Sequence, residues 1–70
     1  MKKQIKIEGM HCSHCSGRVV RAFEAKGIAC EIDLAKGLAV VSGDDKKLDD
    51  AALRDAVESL GFDVVDIKQI

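Results

Sequence analysis

Apolar and polar residues alternate in short stretches of this chain, and a period of two residues predicts β-strands. The alternation is short around Ile5 and Ile7 and clearest in the middle of the chain. Four strands are predicted, over residues 5–8, 28–34, 38–42 and 64–70. Lys36 and Gly37 predict the turn of a hairpin between the second and third strands. The third strand can face the core with either of two pairs, Ala39 with Val41 or Leu38 with Val40.

Apolar spacings of three and four residues predict two helices. The first helix is expected to start at an N-cap, Ser13, and to stop at Gly27. Its apolar face carries Val19, Ala22 and Phe23. Residues 9–15, which we call the cysteine segment, are expected to form a loop between the first strand and this helix, because a glycine interrupts the alternation there.

The second helix has clear signals at both ends. Asp49 is the predicted N-cap, Leu48 and Leu53 have the spacing of a hydrophobic staple, and Gly61 is the predicted stop. The order strand, helix, strand, strand, helix, strand is that of the ferredoxin-like fold. We therefore expect an α+β domain over residues 1–70, a βαββαβ sandwich with a four-stranded antiparallel sheet and both helices on one face. Right-handed crossovers would bring the hairpin turn, Gly61 and Phe62 close to the cysteine segment.

Composition narrows the function classes. The 70 residues include 11 Lys and Arg against 12 Asp and Glu, and only two aromatic residues, both Phe. Nucleic-acid binding requires a basic face or stacking rings, so this charge balance and the small number of rings argue against it. A chain of this size buries only about 60% of its unfolded surface, too little for a large enclosed catalytic cavity. A surface binding site is expected, and not an enzyme.

The location of the protein can also be predicted. No apolar run approaches the ~20 residues of a membrane span, so no direct membrane insertion is expected. The first residues lack the apolar centre of a secretory signal. Three cysteines, an odd number, indicate reduced thiols in the cytoplasm and not a disulfide framework. Met1 and a completed last strand favour a whole protein.

Cys12 and Cys15 form a C-x-x-C pair at the predicted start of the first helix. This spacing can bring two sulfurs to one ligand, and the positive end of a helix favours the thiolate form that binds metal. Two soft sulfurs without a full ligand set suit Cu(I), whereas structural Zn(II) requires four ligands. The spacing alone leaves three interpretations open: a metal site, a dithiol redox pair, or two inert cysteines.

The surroundings of the pair resemble a known family. The sequence GMHCSHC at residues 9–15 resembles the G-M-x-C-x-x-C motif of heavy-metal-associated domains, which include copper chaperones and the N-terminal domains of heavy-metal P-type ATPases. The resemblance covers the whole chain, and GFDV at residues 61–64 is similar to the family's glycine-aromatic turn. It implies that Cys12 and Cys15 bind the metal, that Met10 packs beneath them, and that Phe62 lies close to the metal.

The two histidines of the cysteine segment leave open which metal ion the protein binds. His11 or His14 could be an additional ligand or an exposed side chain near the metal. A nitrogen donor from His11 would favour Zn(II), Cd(II) or Hg(II) and an efflux or detoxification system. A thioredoxin-like redox protein is the third hypothesis, but such domains are longer and place a proline against the pair, and this chain has no proline.

Three residues outside the segment also bear on function. Cys30 is expected to face the core with Ile32 and Leu34, at the far end of the sheet, as a small hydrophobe and not a ligand. Arg18 and Arg21, on the first helix, are either a solvated face or a weak docking surface for an acidic partner.

The resemblance implies a Cu(I) chaperone that passes its metal to a heavy-metal P-type ATPase, or to that transporter's metal-binding domain, by thiolate exchange. We expect a monomer, with a metal-bridged dimer as the alternative.

Overall fold

The architecture follows the predicted order of elements. The structure is a computed structural model that describes residues 2–10, 13–44 and 46–70. The elements are β1 (Lys2–Glu8), α1 (Ser13–Glu24), β2 (Ala29–Asp33), β3 (Leu38–Ser42), α2 (Asp50–Glu58) and β4 (Asp63–Gln69). The strands form one antiparallel sheet in the order β2-β3-β1-β4, and α1 packs on β2 while α2 packs on β4. The predicted ferredoxin-like α+β fold is confirmed.

The core lies between the helices and one face of the sheet. Ala39 and Val41 are fully buried, which decides between the two pairs that the pattern of β3 allowed. Ile5 on β1 is also fully buried. The largest fully buried side chains are Phe23, Ile5, Leu48, Leu53, Val19, Val41 and Val57.

Helix ends follow the sequence signals closely. At the end of α1, Gly27 has φ +76°, its amide donates to the Glu24 carbonyl, and the Ile28 amide donates to the Phe23 carbonyl. These two hydrogen bonds form a Schellman motif. At the start of α2, the Asp49 carboxylate accepts a hydrogen bond from the Ala52 amide at 3.3 Å, as an N-cap does.

The start of α1 differs from the prediction. Ser13 is the first residue of the helix and not its N-cap, and its carbonyl accepts a hydrogen bond from the Ser16 hydroxyl at 2.9 Å. Residues 13–15 are therefore helical and not part of a loop. Strand β1 is also longer than predicted and begins at Lys2.

Leu34 is a second correction. It lies beyond the end of β2 and is 36% exposed, whereas the alternation placed it on the core face. The cause is the hairpin turn, because the Leu34 carbonyl accepts from the Gly37 amide and the Asp33 carboxylate accepts from the Lys36 amide. These bonds bend the chain out of the pleat one residue earlier than the apolar pattern suggests.

A β-bulge interrupts β4 beside the end of β1. Lys6 pairs with Asp66 and Ile7 pairs with Val64, so Val65 is the extra residue and is 52% exposed. The bulge lets Val64 and the half-buried Ile67 face the core on the same side, although three positions separate them. No helix in the described part of the chain is long and apolar enough to span a membrane.

Candidate metal centre

Cys15 lies in the first turn of α1. It is the third residue of the helix, is half-buried, and packs against the hydrophobic core. Ser13 and His14 precede it and are exposed. A side chain in this position lies at the positive end of the helix dipole, where an anionic group is stabilised by roughly 0.3–1 kcal/mol. The location therefore suits a thiolate donor.

The first turns of the two helices differ in their acidic residues. In α2, the N-cap Asp49 and Asp50 in the first turn place carboxylates there, and Asp50 also pairs with Lys3 at 2.6 Å. The first turn of α1 contains no acidic residue. No carboxylate of that turn therefore competes with the Cys15 sulfur for the positive end of α1.

Two buried side chains lie beneath the start of the cysteine segment. Met10 is 5% exposed and Phe62 is 8% exposed, and both belong to the core cluster. Gly9 has φ +93°, and a methyl group built on it would lie 3.5 Å from Cδ1 of Phe62. Because Met10 is buried in the core, its predicted packing role is consistent with its position. Phe62, which follows α2, lies against Gly9, the first residue of the cysteine segment.

The other predicted donors have separate outcomes. Cys12 and His11 lie outside the described residues. His14 is exposed at the second position of α1. Within residues 2–10, 13–44 and 46–70, no three His, Cys, Asp or Glu side chains come together in a group that could hold a metal ion.

Cys30 lies far from the cysteine segment. It pairs with Val41, which pairs with Lys3, so it is at the opposite end of the sheet from Gly9. Its side chain is half-buried against the core. Burial, with smaller contributions from the charges of Glu24 and Glu31, raises the pKa of the Cys30 thiol from 9.0 to about 11. A thiol that stays protonated is a poor metal ligand, so its position and its chemistry both agree with the predicted structural role.

Arg18 and Arg21 are exposed on α1, beyond the first turn. Neither forms an ion pair among those found in the described residues. Both side chains are therefore accessible to solvent on the surface of α1. The docking role stays a prediction.

One contact of the site was not predicted. The hairpin turn lies beside the cysteine segment, and the Gly37 carbonyl accepts a hydrogen bond from the Ile7 amide at 2.8 Å. The topology indicated that the turn would be near, but no sequence pattern marks a backbone contact between β1 and this turn. In the sequence, Gly37 predicts the hairpin turn and not this contact.

Comparisons with known proteins agree with this geometry. The heavy-metal-associated domain family matches residues 4–63. This chain belongs to that family. Among its relatives is a copper chaperone CopZ of Staphylococcus aureus, 36% identical over 63 residues, an alignment that covers 87% of this chain and 93% of the relative.

Solved structures of the heavy-metal-associated family have the same fold. A CopZ metallochaperone has a TM-score of 0.86 and 33% identity, with 93% of this chain and 100% of that chain covered. The N-terminal domain of PacS from Synechocystis PCC6803 has a TM-score of 0.79 and 28% identity, with 99% and 98% covered. Both likenesses extend over nearly the whole chain, so the family assignment includes the cysteine segment and the Phe62 turn.

Proposed function

We propose that this protein binds Cu(I) through Cys12 and Cys15 and delivers it to a partner as a copper chaperone. The observation that carries the proposal is the first turn of α1, where a thiol stands at the positive helix end in the absence of any carboxylate of that turn. Thiolates are the donors that Cu(I) prefers. The relatives named copper chaperone CopZ support the same cargo.

Metal transfer is proposed to proceed by ligand exchange. A deprotonated thiol of the partner binds the Cu(I) held by the two cysteines, and one of their Cu–S bonds then breaks. The released thiolate takes a proton from solvent, and copper stays in the +1 state throughout. We propose Cys12 as the first sulfur to leave, because Cys15 is held in the helix and packs against the core.

The partner is proposed to be a heavy-metal P-type ATPase or its metal-binding domain. A copper-binding domain from HMA7, a P-type ATPase, has the same fold with a TM-score of 0.81, so carrier and recipient would share a fold. Such a transfer exchanges Cu–S bonds and changes no covalent bond of an organic substrate, so we propose a metal carrier and not an enzyme. We place it in the cytoplasm as a single domain over residues 1–70, where a monomer suffices for the exchange.

Copper delivery has two alternatives, a different metal ion and dithiol redox chemistry. Zn(II), Cd(II) or Hg(II) cargo would require a nitrogen donor from His11 or His14 in addition to the sulfurs. The dithiol redox hypothesis loses its support, because the fold and family are those of heavy-metal-associated domains and not of thioredoxin-like proteins.

Anaerobic Cu(I) titration of reduced protein tests the proposal. We expect one Cu(I) per chain for the wild type, and a loss of affinity of roughly 100-fold or more for Cys12→Ser and for Cys15→Ser, because loss of a residue that only supports a metal ligand already costs about 10–100-fold. Cys30→Ser is the matched control, since its thiol lies at the other end of the sheet, and it should bind as the wild type does. Retention of wild-type affinity by either of the first two variants would exclude this pair as the ligands.

A further inference from the structure

The turn between β2 and β3 contacts the end of β1 that leads into the cysteine segment. The Ile7 amide donates to the Gly37 carbonyl at 2.8 Å, one step beyond the paired residues Lys6 and Leu38. A second contact joins the same two elements, because the Lys6 ammonium donates to the Lys36 carbonyl at 3.2 Å. The turn is therefore attached to the last residues before Gly9.

Gly37 allows this approach for two separate reasons. Its φ is +67°, in the left-handed region that favours glycine. A methyl group built on it would lie 3.0 Å from the carbonyl oxygen of Ile7. That oxygen belongs to backbone and cannot rotate away as a flexible side chain can. Any side chain at position 37 would therefore push on β1 directly.

The start of the cysteine segment is thus held from two directions. Phe62 lies against Gly9 on one side, 3.5 Å from a methyl group built there. Gly37 holds the Ile7 backbone on the other side. Between the turn and the segment lies an open groove lined in part by Glu8, Gly9, Leu34 and Gly37. A shift of the turn would move Ile7 and, through it, Gly9 and Met10.

We propose that Gly37 is a positioning residue for the metal centre. Through the Ile7 backbone it sets the direction in which Gly9 and Met10 leave β1, and so it sets the affinity of the cysteine pair for Cu(I). This inference rests on the proposed function.

A pair of glycine variants separates positioning from loss of stability. Gly37→Ala and Gly27→Ala both place alanine at a positive φ, +67° and +76°. Gly27 lies after the far end of α1, and among the described residues a methyl group there would meet only the end of the Lys47 side chain, at 2.7 Å to Nζ. Both variants should lower the melting temperature of the metal-free protein. Only Gly37→Ala should weaken Cu(I) binding, by about tenfold, as supporting residues around metal ligands typically do.

Gly37→Asn provides a second variant if Gly37→Ala folds poorly. Asparagine tolerates a positive φ but keeps the Cβ that faces Ile7. It should therefore be more stable than Gly37→Ala and still bind Cu(I) about tenfold more weakly than the wild type. Equal Cu(I) affinity in Gly27→Ala and both Gly37 variants would overturn the inference.

Amide NMR of the metal-free protein tests the positioning without copper. We expect the Gly37 variants, and not Gly27→Ala, to shift the amide resonances of Gly9 and Met10 and to speed hydrogen exchange at the Ile7 amide. Unchanged resonances in the Gly37 variants would refute the positioning role. Absence of Cu(I) binding by the wild type would refute the proposed function instead, so the two failures are distinguishable.

Discussion

The two phenylalanines offer a direct comparison between stability and metal binding. Phe62 is 8% exposed and lies against Gly9, whereas Phe23 is 1% exposed in the last turn of α1, away from the cysteine segment. Truncation of a buried Phe to Ala costs roughly 3–5 kcal/mol, which would threaten a small domain. Leucine keeps much of the volume, so Phe62→Leu and Phe23→Leu should each lower the free energy of unfolding by about 1–2 kcal/mol.

These losses should appear as changes in melting temperature. At roughly 4–8 °C per kcal/mol for a domain of this size, each variant should melt roughly 5–15 °C below the metal-free wild type. Cu(I) affinity should separate them. Phe62→Leu removes part of the ring that supports Gly9, and we expect roughly tenfold weaker binding, or about 1.4 kcal/mol, whereas Phe23→Leu should bind normally.

Thermal denaturation of the metal-free variants and Cu(I) competition at 25 °C measure the two quantities separately. Wild-type affinity in Phe62→Leu would refute the argument that the ring organises the metal centre. An equal loss of affinity in Phe23→Leu would show instead that Cu(I) binding follows global stability. Either result would also weaken the case that the buried side chains of Met10 and Phe62 support the metal centre.

Three further predictions concern other parts of the molecule. Asp49→Ala should lower the free energy of unfolding by about 1 kcal/mol in urea titrations, because it removes an N-cap. Asp55→Ala, at an exposed position within α2, should change the free energy of unfolding by less than about half of that amount. The pKa of Cys30 in the folded protein, about 11, lies above its ordinary value of 9.0, so the stability that this thiol contributes is fully present below pH 9 and is lost as pH rises through 11. After a discount for partial exposure, the free energy of unfolding of the wild type should fall by about 1 kcal/mol more than that of Cys30→Ala across that range. Equal losses in the two proteins would contradict the raised pKa. Charge reversal at Arg18 and Arg21 should slow Cu(I) transfer to an acidic recipient, most strongly at low salt, without changing Cu(I) affinity; an unchanged rate would mean that these side chains form only a solvated face.

Local signals in the sequence were sufficient for most of the fold. Gly27 and Asp49 act at helix ends as predicted, because a Schellman glycine and an N-cap depend only on neighbouring residues. Leu34 was misplaced because an alternating pattern does not reveal where a strand stops and a turn begins. The bulge at Val65 has no local signal, since it arises from how β4 pairs with β1.

In the candidate site, too, some features could be predicted from the sequence and others could not. The C-x-x-C pair and the Phe62 turn could be predicted because the family motif includes them, and Phe62 lies against Gly9 at the start of the cysteine segment. The support from Gly37 could not be found, because it depends on a backbone approach between segments that are 30 residues apart at Lys6 and Lys36. The two ends of these contacts are an ordinary strand and an ordinary turn, and only the three-dimensional packing shows that they touch.

The central claim is that the cysteine pair of this protein forms a Cu(I) site. Competition of reduced wild-type protein against chelators of known affinity, with Cu(I) and Zn(II) in parallel, tests it most directly. We expect tight one-to-one Cu(I) binding and Zn(II) binding weaker by several orders of magnitude, because two thiolates satisfy Cu(I) and leave Zn(II) without a full ligand set. Zn(II) binding as tight as Cu(I) would contradict the copper assignment and indicate a nitrogen donor in the site.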